Sequence, residues 1–126
     1  MTVWSVLIVD DSQTIRKVIC KLFTREGDFE VCAEAENGQQ AIEKATDLKP
    51  ALIVTDLSMP VMNGLVATQI LRKLMPKVPI ILYSSHIDPQ VEKEALMAGA
   101  SAVIPKSDAV ALLIERSRRL LWDMAA

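Results

Sequence analysis

Short apolar runs of strand length, separated by helical patterns, constrain the fold of this 126-residue chain more than any other feature. Such an alternation is typical of βα units and a parallel sheet. Four of the runs end at a residue with a polar or charged side chain. They are residues 6–9 before Asp10 and Asp11, 52–55 before Asp56, 80–83 before Ser84, and 103–105 before Lys106. Because open parallel sheets bind ligands at the carboxyl ends of their strands, we expect these side chains to converge.

The helices predicted between these runs mostly have their own start or stop signals. The first helix, over about 12–26, has Ser12 as its start signal and Gly27 as its stop signal, and the second starts at Asn37 with Gln40 and stops at Pro50. The third spans about 65–75. The fourth starts at Asp88 and Pro89 and stops at Gly99, and a fifth that runs to about residue 123 starts at Ser107 or Asp108. Apolar residues at helical spacing predict the buried faces. In the first three helices these are Ile15, Val18, Ile19, Leu22 and Phe23; Ala41, Ala45 and Leu48; and Ala67, Ile70, Leu71 and Leu74.

The order of the strands follows from differences between the runs. The second run, residues 29–35, ends without a polar functional group and alternates Phe29, Val31 and Ala33 with Glu30, Cys32 and Glu34, which indicates an edge. Pro105 cannot donate to a ladder, so the last run is expected at the other edge. We therefore predict one domain over residues 1–126 with a doubly wound α/β fold. Its five-stranded parallel sheet has the order 2-1-3-4-5 within a three-layer αβα sandwich with five helices.

Composition argues against several classes of protein. The net charge of −2 and the sequence pI of about 5.4 give no electrostatic footprint for nucleic acid. No apolar run approaches the roughly 20 residues that span a bilayer, and no basic segment precedes an apolar stretch at the N-terminus. We therefore expect a cytoplasmic protein without a nucleic-acid or membrane partner. Cys20 and Cys32 match neither a zinc-site nor a CxxC spacing, so they are predicted to be free, largely buried thiols.

The predicted convergence suggests phosphoryl-transfer chemistry. The first and third strands are neighbours in this order, so Asp10, Asp11 and Asp56 would gather together. Carboxylates about 5 Å apart repel by roughly 3 kcal/mol per pair at an effective dielectric constant of 20, so the cluster needs a counter-charge. Mg²⁺ suits such oxygen ligands, whereas the loop spacing of a calcium-binding EF-hand is absent. Lys106 and Ser84 would add a cation and a hydroxyl donor, which completes a set suited to phosphoryl transfer.

These motifs, in this order, resemble the receiver domain of two-component response regulators over essentially the whole chain. The resemblance is carried by the pair Asp10-Asp11, by residues 56–64 with the sequence DLSMPVMNG, and by Ser84 and Lys106. It implies a flavodoxin-like fold and a signalling domain that catalyses only its own phosphorylation and slow dephosphorylation.

The resemblance also implies a role for each site residue. Asp56 would be the phosphoacceptor, and Asp11, Asp56 and the Ser58 carbonyl would bind Mg²⁺ directly. Asp10 would act on the ion through water. Lys106 would pair with the phosphoryl group, and Ser84 would donate a hydrogen bond to it.

The chain departs from the pattern of the family at two positions. Val103 stands where the family often has an aromatic residue that turns inward on phosphorylation, so the resemblance does not extend to that half of the switch. Ser107 follows Lys106 where a proline with a cis bond is common, and we expect a trans bond because a cis bond before a non-proline residue costs about 2.5–4 kcal/mol. Ser58 and His86 occupy positions that resemble the family's sites for tuning the lifetime of the phosphoryl group.

The resemblance implies phosphoryl donors as partners, namely a sensor histidine kinase or a histidine phosphotransfer protein, and an unknown downstream effector. Gln13, Arg16 and Lys17 form a reasonable docking surface for the donor, with a solvated helix face as the alternative. The leucines of the fifth helix are predicted mainly as core, although some could support a phosphorylation-dependent homodimer. They are Leu112, Leu113, Leu120 and Leu121.

One alternative to a stand-alone receiver stays open at this point, and the residues of the site argue against two others. The chain could be the receiver portion of a longer regulator with a DNA-binding effector. A flavodoxin-like FMN protein would need a Ser-, Thr- and Gly-rich loop where this chain has Asp10 and Asp11. A phosphatase of the haloacid-dehalogenase type would need a second acid where this chain has Ser58.

Overall fold

The computed structural model describes residues 2–107 and 110–125. Strands and helices alternate along this part of the chain. They are β1 (Trp4–Val9), α1 (Gln13–Arg25), β2 (Phe29–Ala35), α2 (Gly38–Leu48), β3 (Leu52–Thr55), α3 (Gly64–Leu74), β4 (Ile80–Ser84), α4 (Pro89–Ala98), β5 (Ala102–Pro105) and α5 (Val110–Ala125).

The sheet is parallel, and its order β2-β1-β3-β4-β5 confirms the prediction. The edge strands are β2 and β5, as expected from their sequences. Pro105 is the last residue of β5, where the N–H that it lacks is least needed. The order places β1 beside β3, and hence the residue after β1 beside the residue after β3.

Each face of the sheet has its own apolar core. Val6 and Ile8 of β1 belong to a cluster with residues of α1 and α5, whereas Leu7 and Val9 belong to a cluster with residues of α2 and α3. Successive residues of a strand point to opposite faces, so continuously apolar strands bury both sides under helices. In a smaller cluster, Leu82 of β4 packs against Ala95 of α4 and Ala100. The three-layer arrangement is therefore confirmed.

A β-bulge at Cys32 interrupts the alternation of β2. Val31 pairs with Val6 of β1, and Ala33 pairs with the next β1 residue, so Cys32 is an extra residue in β2. The residues before the bulge pack on the α1 side, and Ala33 packs on the α2 side. The strict alternation read from the sequence is therefore wrong beyond this point. One consequence is that Glu34 lies on the α1 side of the sheet.

The helix caps largely follow the sequence. The side chains of Ser12, Asn37 and Asp88 accept hydrogen bonds from the backbone amides three residues ahead, and Gly99 ends α4 with a φ of 116°. The third helix begins earlier than predicted because Asn63 caps it at Gly64. Asp108, one of the two predicted caps of α5, lies outside the described residues.

Four residues predicted as core are exposed instead. Leu48 is 50% exposed and Leu74 is 56% exposed, each as the last residue of its helix. Ile15 and Val18 are exposed as well, because α1 contacts the sheet through the narrower face that carries Ile19 and Phe23. In α5, by contrast, the leucines do pack on the core. Leu113 and Leu121 are buried, and Leu112 and Leu120 are partly buried against the same cluster.

Candidate functional site

Three aspartates meet at the carboxyl ends of β1 and β3. Val9 pairs with Thr55 across the two strands, so Asp10 and Asp56 emerge side by side, and Asp11 follows. Each aspartate offers one carboxylate oxygen, and these oxygens all lie within 4.8 Å of one another. Asp10 is 1% exposed and Asp56 is 8% exposed, whereas Asp11 faces solvent. Three carboxylates with one open side form a donor set that suits a hard divalent cation such as Mg²⁺.

Lys106 brings a positive charge to the same place from the far side of the sheet. Its Nζ lies 2.8 Å from Oδ2 of Asp10 and 3.5 Å from Oδ2 of Asp56. The backbone holds it there, because the Lys106 amide donates a hydrogen bond of 2.8 Å to the carbonyl of Ser84 at the end of β4. The Nζ atom is also 6.0 Å from the ring centroid of Tyr83. The peptide bond to Ser107 is trans, as predicted.

The charges of this cluster perturb one another. Burial raises the pKa of Asp56, and the Asp10 carboxylate adds to the rise, while the Lys106 ammonium counteracts it without cancelling it. Burial alone would lower the pKa of Lys106, but its hydrogen bond to Asp10 and the charges of both aspartates raise it. Lys106 is therefore held in its charged form. Its single positive charge does not fully compensate for the burial of the ionised Asp56 carboxylate.

The loop that follows Asp56 is fixed by close backbone contacts. The Leu57 amide donates to Oδ1 of Asp56 at 2.8 Å, and the Gly64 amide donates to the carbonyl of Leu57 at 2.7 Å. A Cβ on Gly64 would lie 1.9 Å from the carbonyl oxygen of Asp56, so this approach requires glycine. Gly38 at the start of α2 donates to the Met62 carbonyl at 2.8 Å. Hydrogen bonds and close packing within this loop thus orient the carboxylate of Asp56.

The remaining residues named from the sequence differ in their burial. Ser84 is buried as the last residue of β4, and its Oγ accepts a hydrogen bond of 3.4 Å from the backbone amide of His86. Ser58 and the His86 residue are exposed. Tyr83 is buried in the core on the α1 and α5 side. Val103 packs against the cluster that contains Leu82.

A sequence model of the response regulator receiver domain matches residues 6–118 of the chain. The chain belongs to the response regulator receiver domain family. Receiver domains are signalling domains of two-component systems that bind Mg²⁺ at an acidic pocket, and this receiver domain has a cluster of three aspartates.

Curated relatives of this receiver domain include proteins of different length and output. It is 40% identical over 103 residues to a protein-glutamate methylesterase/protein-glutamine glutaminase of Nocardioides sp., which covers 80% of the chain and 28% of that protein. It is 40% identical over 101 residues to the chemotaxis protein CheY of Thermotoga maritima, which covers 80% of the chain and 83% of that protein. The receiver domain spans less than a third of the methylesterase relatives.

A solved structure confirms the fold. The response regulator domain of Thermotoga maritima CheB superimposes with a TM-score of 0.86 at 31% identity and covers 98% of each chain. The flavodoxin-like arrangement expected from the sequence is therefore that of this receiver domain. Among the residues that the structure describes, no helix has the length and apolar character needed to cross a bilayer.

The sequence interpretation missed the contacts of one residue beside the cluster. Arg16 was assigned to an exposed docking surface with Gln13 and Lys17, yet only 12% of its side chain is exposed. Its guanidinium donates to the carbonyl of Asp10 at 2.7 Å and to Glu34 at 2.8 Å. A basic residue six positions after Asp10 is the signal that could have indicated this contact, but its partner on β2 depends on the bulge.

The two cysteines are free thiols, as predicted. Both are half-buried rather than largely buried. Burial, followed by the nearby charge of Glu34, raises the pKa of Cys20 to about 11. Burial also raises the pKa of Cys32. Neither thiol therefore has the lowered pKa of a reactive cysteine.

Proposed function

We propose that this receiver domain accepts a phosphoryl group on Asp56 from a phosphohistidine of a sensor histidine kinase or a histidine phosphotransfer protein. Phosphorylation then changes its surface and controls a downstream partner. The proposal treats residues 1–126 as one receiver domain. The observation that carries it is the position of Asp56, whose carboxylate adjoins two further carboxylates within 4.8 Å and has the Lys106 ammonium 3.5 Å from its Oδ2.

The chemistry requires a carboxylate nucleophile that is held in place. An oxygen of Asp56 attacks phosphorus, the P–N bond of the phosphohistidine breaks, and the imidazole nitrogen takes up a proton. The product on Asp56 is an acyl phosphate. The Leu57 amide holds Oδ1 of Asp56 by a hydrogen bond of 2.8 Å, which orients the carboxylate. Lys106, whose Nζ is 3.5 Å from Oδ2 of Asp56, would pair with an oxygen of the incoming phosphoryl group. Such transfer depends mainly on positioning and charge neutralisation.

The acidic cluster supplies the metal ligands in this proposal. Asp11, Asp56 and the Ser58 carbonyl would hold Mg²⁺ directly, and Asp10 would hold it through water. When bound, Mg²⁺ neutralises charge on the transferring phosphoryl group. Ser84 would donate a hydrogen bond to the phosphoryl group once it is attached. Its Oγ accepts a hydrogen bond of 3.4 Å from the His86 amide, which leaves the O–H of Ser84 to donate to a phosphoryl oxygen.

The start of α1 remains the proposed docking surface for the phosphoryl donor. Gln13 and Lys17 are exposed beside the acidic cluster. Arg16 no longer belongs to this surface, because its side chain is committed to Asp10 and Glu34. A donor that approaches here would reach Asp56 from the open side on which Asp11 lies.

The proposal is tested by phosphorylation with acetyl phosphate and Mg²⁺, followed by intact-mass measurement. We expect the wild-type protein to gain the mass of one phosphoryl group, and chelation of Mg²⁺ to prevent the gain. The Asp56→Asn variant should gain nothing. Asp47→Asn is the matched control, since Asp47 is exposed on α2, and it should be modified like the wild type. An equal adduct on the Asp56→Asn variant would refute the proposal.

A further inference from the structure

The guanidinium of Arg16 links the acidic pair to β2 through two different edges. Its Nη1 donates to the carbonyl oxygen of Asp10 at 2.7 Å, and its Nε donates to Oε1 of Glu34 at 2.8 Å. A planar group with several fixed donors can make both bonds at once, whereas the single ammonium of a lysine cannot reproduce this geometry.

Glu34 is a firm anchor for this link. Because of the bulge at Cys32 it lies on the α1 side of the sheet, where its Oε2 also accepts from Lys17 at 3.0 Å. Lys44 of α2 donates to its backbone carbonyl. Burial opposes ionisation of Glu34, but the hydrogen bonds from Lys17 and Arg16 outweigh burial and lower its pKa. The carboxylate is therefore charged at neutral pH and held from both ends.

The atom that Arg16 holds determines where Asp11 lies. The carbonyl of Asp10 belongs to the peptide group that joins Asp10 to Asp11, so fixing this oxygen fixes the plane of that peptide. Asp10 is also held by its amide, which donates to the Ala35 carbonyl at 3.0 Å. Its side chain accepts from the Ser12 amide at 2.9 Å and from Lys106 at 2.8 Å. Asp11, by contrast, is exposed, and its carboxylate has no hydrogen bond within the described part of the chain.

We propose that Arg16, anchored by Glu34, is a positioning residue that holds the Asp10–Asp11 peptide so that the Asp11 carboxylate faces the cation site. This inference rests on the proposed function, because it concerns the same Mg²⁺ site. Partners of metal ligands commonly change metal affinity by about 10–100-fold when they are removed.

The sign of the effect separates positioning from simple electrostatics. A positive charge near a cation site weakens cation binding, so its removal should by itself strengthen Mg²⁺ binding. Loss of a positioning contact should weaken Mg²⁺ binding instead. Lys17 provides a matched control, because it carries the same charge and contacts the same Glu34 but is exposed and does not contact Asp10.

The test is Mg²⁺ titration of the full chain by calorimetry for the wild type, Arg16→Met and Lys17→Met. We expect the Arg16→Met variant to bind Mg²⁺ about 10-fold more weakly. Lys17→Met should bind at least as tightly as the wild type. Arg16→Lys should also bind weakly, although it keeps the charge. Affinity in Arg16→Met equal to or tighter than that of the wild type would overturn the inference and leave the proposed function standing, whereas no Mg²⁺ binding by the wild type would overturn both.

A second measurement, by NMR, needs no Mg²⁺. It tests the inference with a conservative variant in case Arg16→Met folds poorly. The amide of Asp11 belongs to the peptide whose carbonyl Arg16 holds, so its NMR chemical shift reports on that hydrogen bond. We expect a clear shift of the Asp11 amide in Arg16→Lys, a conservative change, and little shift in Lys17→Met. An Asp11 amide that does not move in Arg16→Lys would show that Arg16 does not hold this peptide.

Discussion

At the scale of single residues, the site is a problem of charge balance. Asp10 and Asp56 are nearly buried together, and one ammonium, that of Lys106, contacts both of them. Burial of Asp56 and the adjacent charge of Asp10 raise the pKa of Asp56, and the single ammonium of Lys106 does not compensate for both effects. The cluster is thus electrostatically unfavourable by itself at neutral pH, which is the condition under which a divalent cation is most strongly attracted.

Replacement of Asp56 by asparagine should therefore stabilise the metal-free protein. A carboxyl whose pKa is raised in the folded state favours folding when it is protonated and loses this contribution as the pH rises through the folded pKa. We expect Asp56→Asn to gain about 1 kcal/mol in the free energy of unfolding at pH 7. The gain should shrink on acidification and vanish below the ordinary Asp pKa of about 3.9. Urea denaturation without Mg²⁺ at several pH values measures it, with Asp47→Asn as the control. Lower stability of Asp56→Asn at pH 7 would contradict this account.

The exposed side chains of Ser58 and His86 are predicted to set the lifetime of the phosphoryl group. Either could order or exclude the water that attacks the acyl phosphate. We expect Ser58→Ala and His86→Ala to change the rate of dephosphorylation several-fold while the rate of phosphorylation changes less. Ser85→Ala, at an exposed position between Ser84 and His86, is the control. Equal phosphoryl half-lives in all of these proteins would count against the prediction.

At the scale of elements, the loop between β3 and α3 determines how Asp56 is presented. Gly64 lies so close to Asp56 that an added Cβ would come within 1.9 Å of its carbonyl oxygen. We expect Gly64→Ala to lose about 3 kcal/mol of stability, since such an overlap forces the backbone to move. Gly27→Ala, with a φ of 21° but no atom within 4 Å of the added Cβ, should lose only about 1 kcal/mol. Urea denaturation compares the two, and losses of equal size would show that the loop adapts.

A second feature at this scale is Arg72 of α3, which bonds to the loops that follow α3 and α4. The guanidinium of Arg72 donates to the carbonyl of Gly99 through Nε at 2.9 Å and Nη2 at 2.7 Å, and to the carbonyls of Pro76 and Val78 at 3.0 and 2.7 Å. Burial lowers the pKa of Arg72. Through these neutral carbonyl acceptors, the Arg72 side chain connects the loop after α3 to the loop after α4.

Replacement of Arg72 by methionine should release both loops. We expect Arg72→Met to lose about 3 kcal/mol, because several carbonyls, most of them in partly buried hydrogen bonds, lose a charged donor at once. Lys73→Met, the exposed neighbour on the same helix, should change stability by less than about 0.5 kcal/mol. Equilibrium unfolding of both variants checks the prediction, which fails if they lose similar amounts.

At the scale of the whole molecule, the sequence predicts what depends on local signals. Strand-length apolar runs, the edge character of β2 and the proline in β5 were enough for the strand order. Capping residues such as Asn37 and Asp88 located helix ends, because a cap bonds to an amide only three residues away. The convergence of Asp10, Asp56 and Lys106 followed from the topology alone, since parallel strands end at one edge.

What escaped prediction depends on partners that are distant in the sequence. The bulge at Cys32 is set by pairing with β1, and it decides which face Glu34 occupies. The contact between Arg16 and Glu34 follows from that bulge, so no local pattern indicates it. The helical periodicity likewise predicted buried faces that are too long, because the spacing of apolar residues does not show where a helix extends past the edge of the sheet. Leu48 and Leu74 at the ends of their helices are the result.

The central claim is that the strands deliver one reactive carboxylate, that of Asp56, into a shared pocket. The most direct test is to phosphorylate the protein with acetyl phosphate and Mg²⁺, reduce the acyl phosphate with borohydride, and sequence the peptides by mass spectrometry. Reduction converts a phosphorylated aspartate into homoserine, so the modified position is recorded covalently. We predict homoserine at residue 56 and at no other aspartate. Homoserine at Asp10 or Asp11 with an unmodified Asp56 would contradict the account.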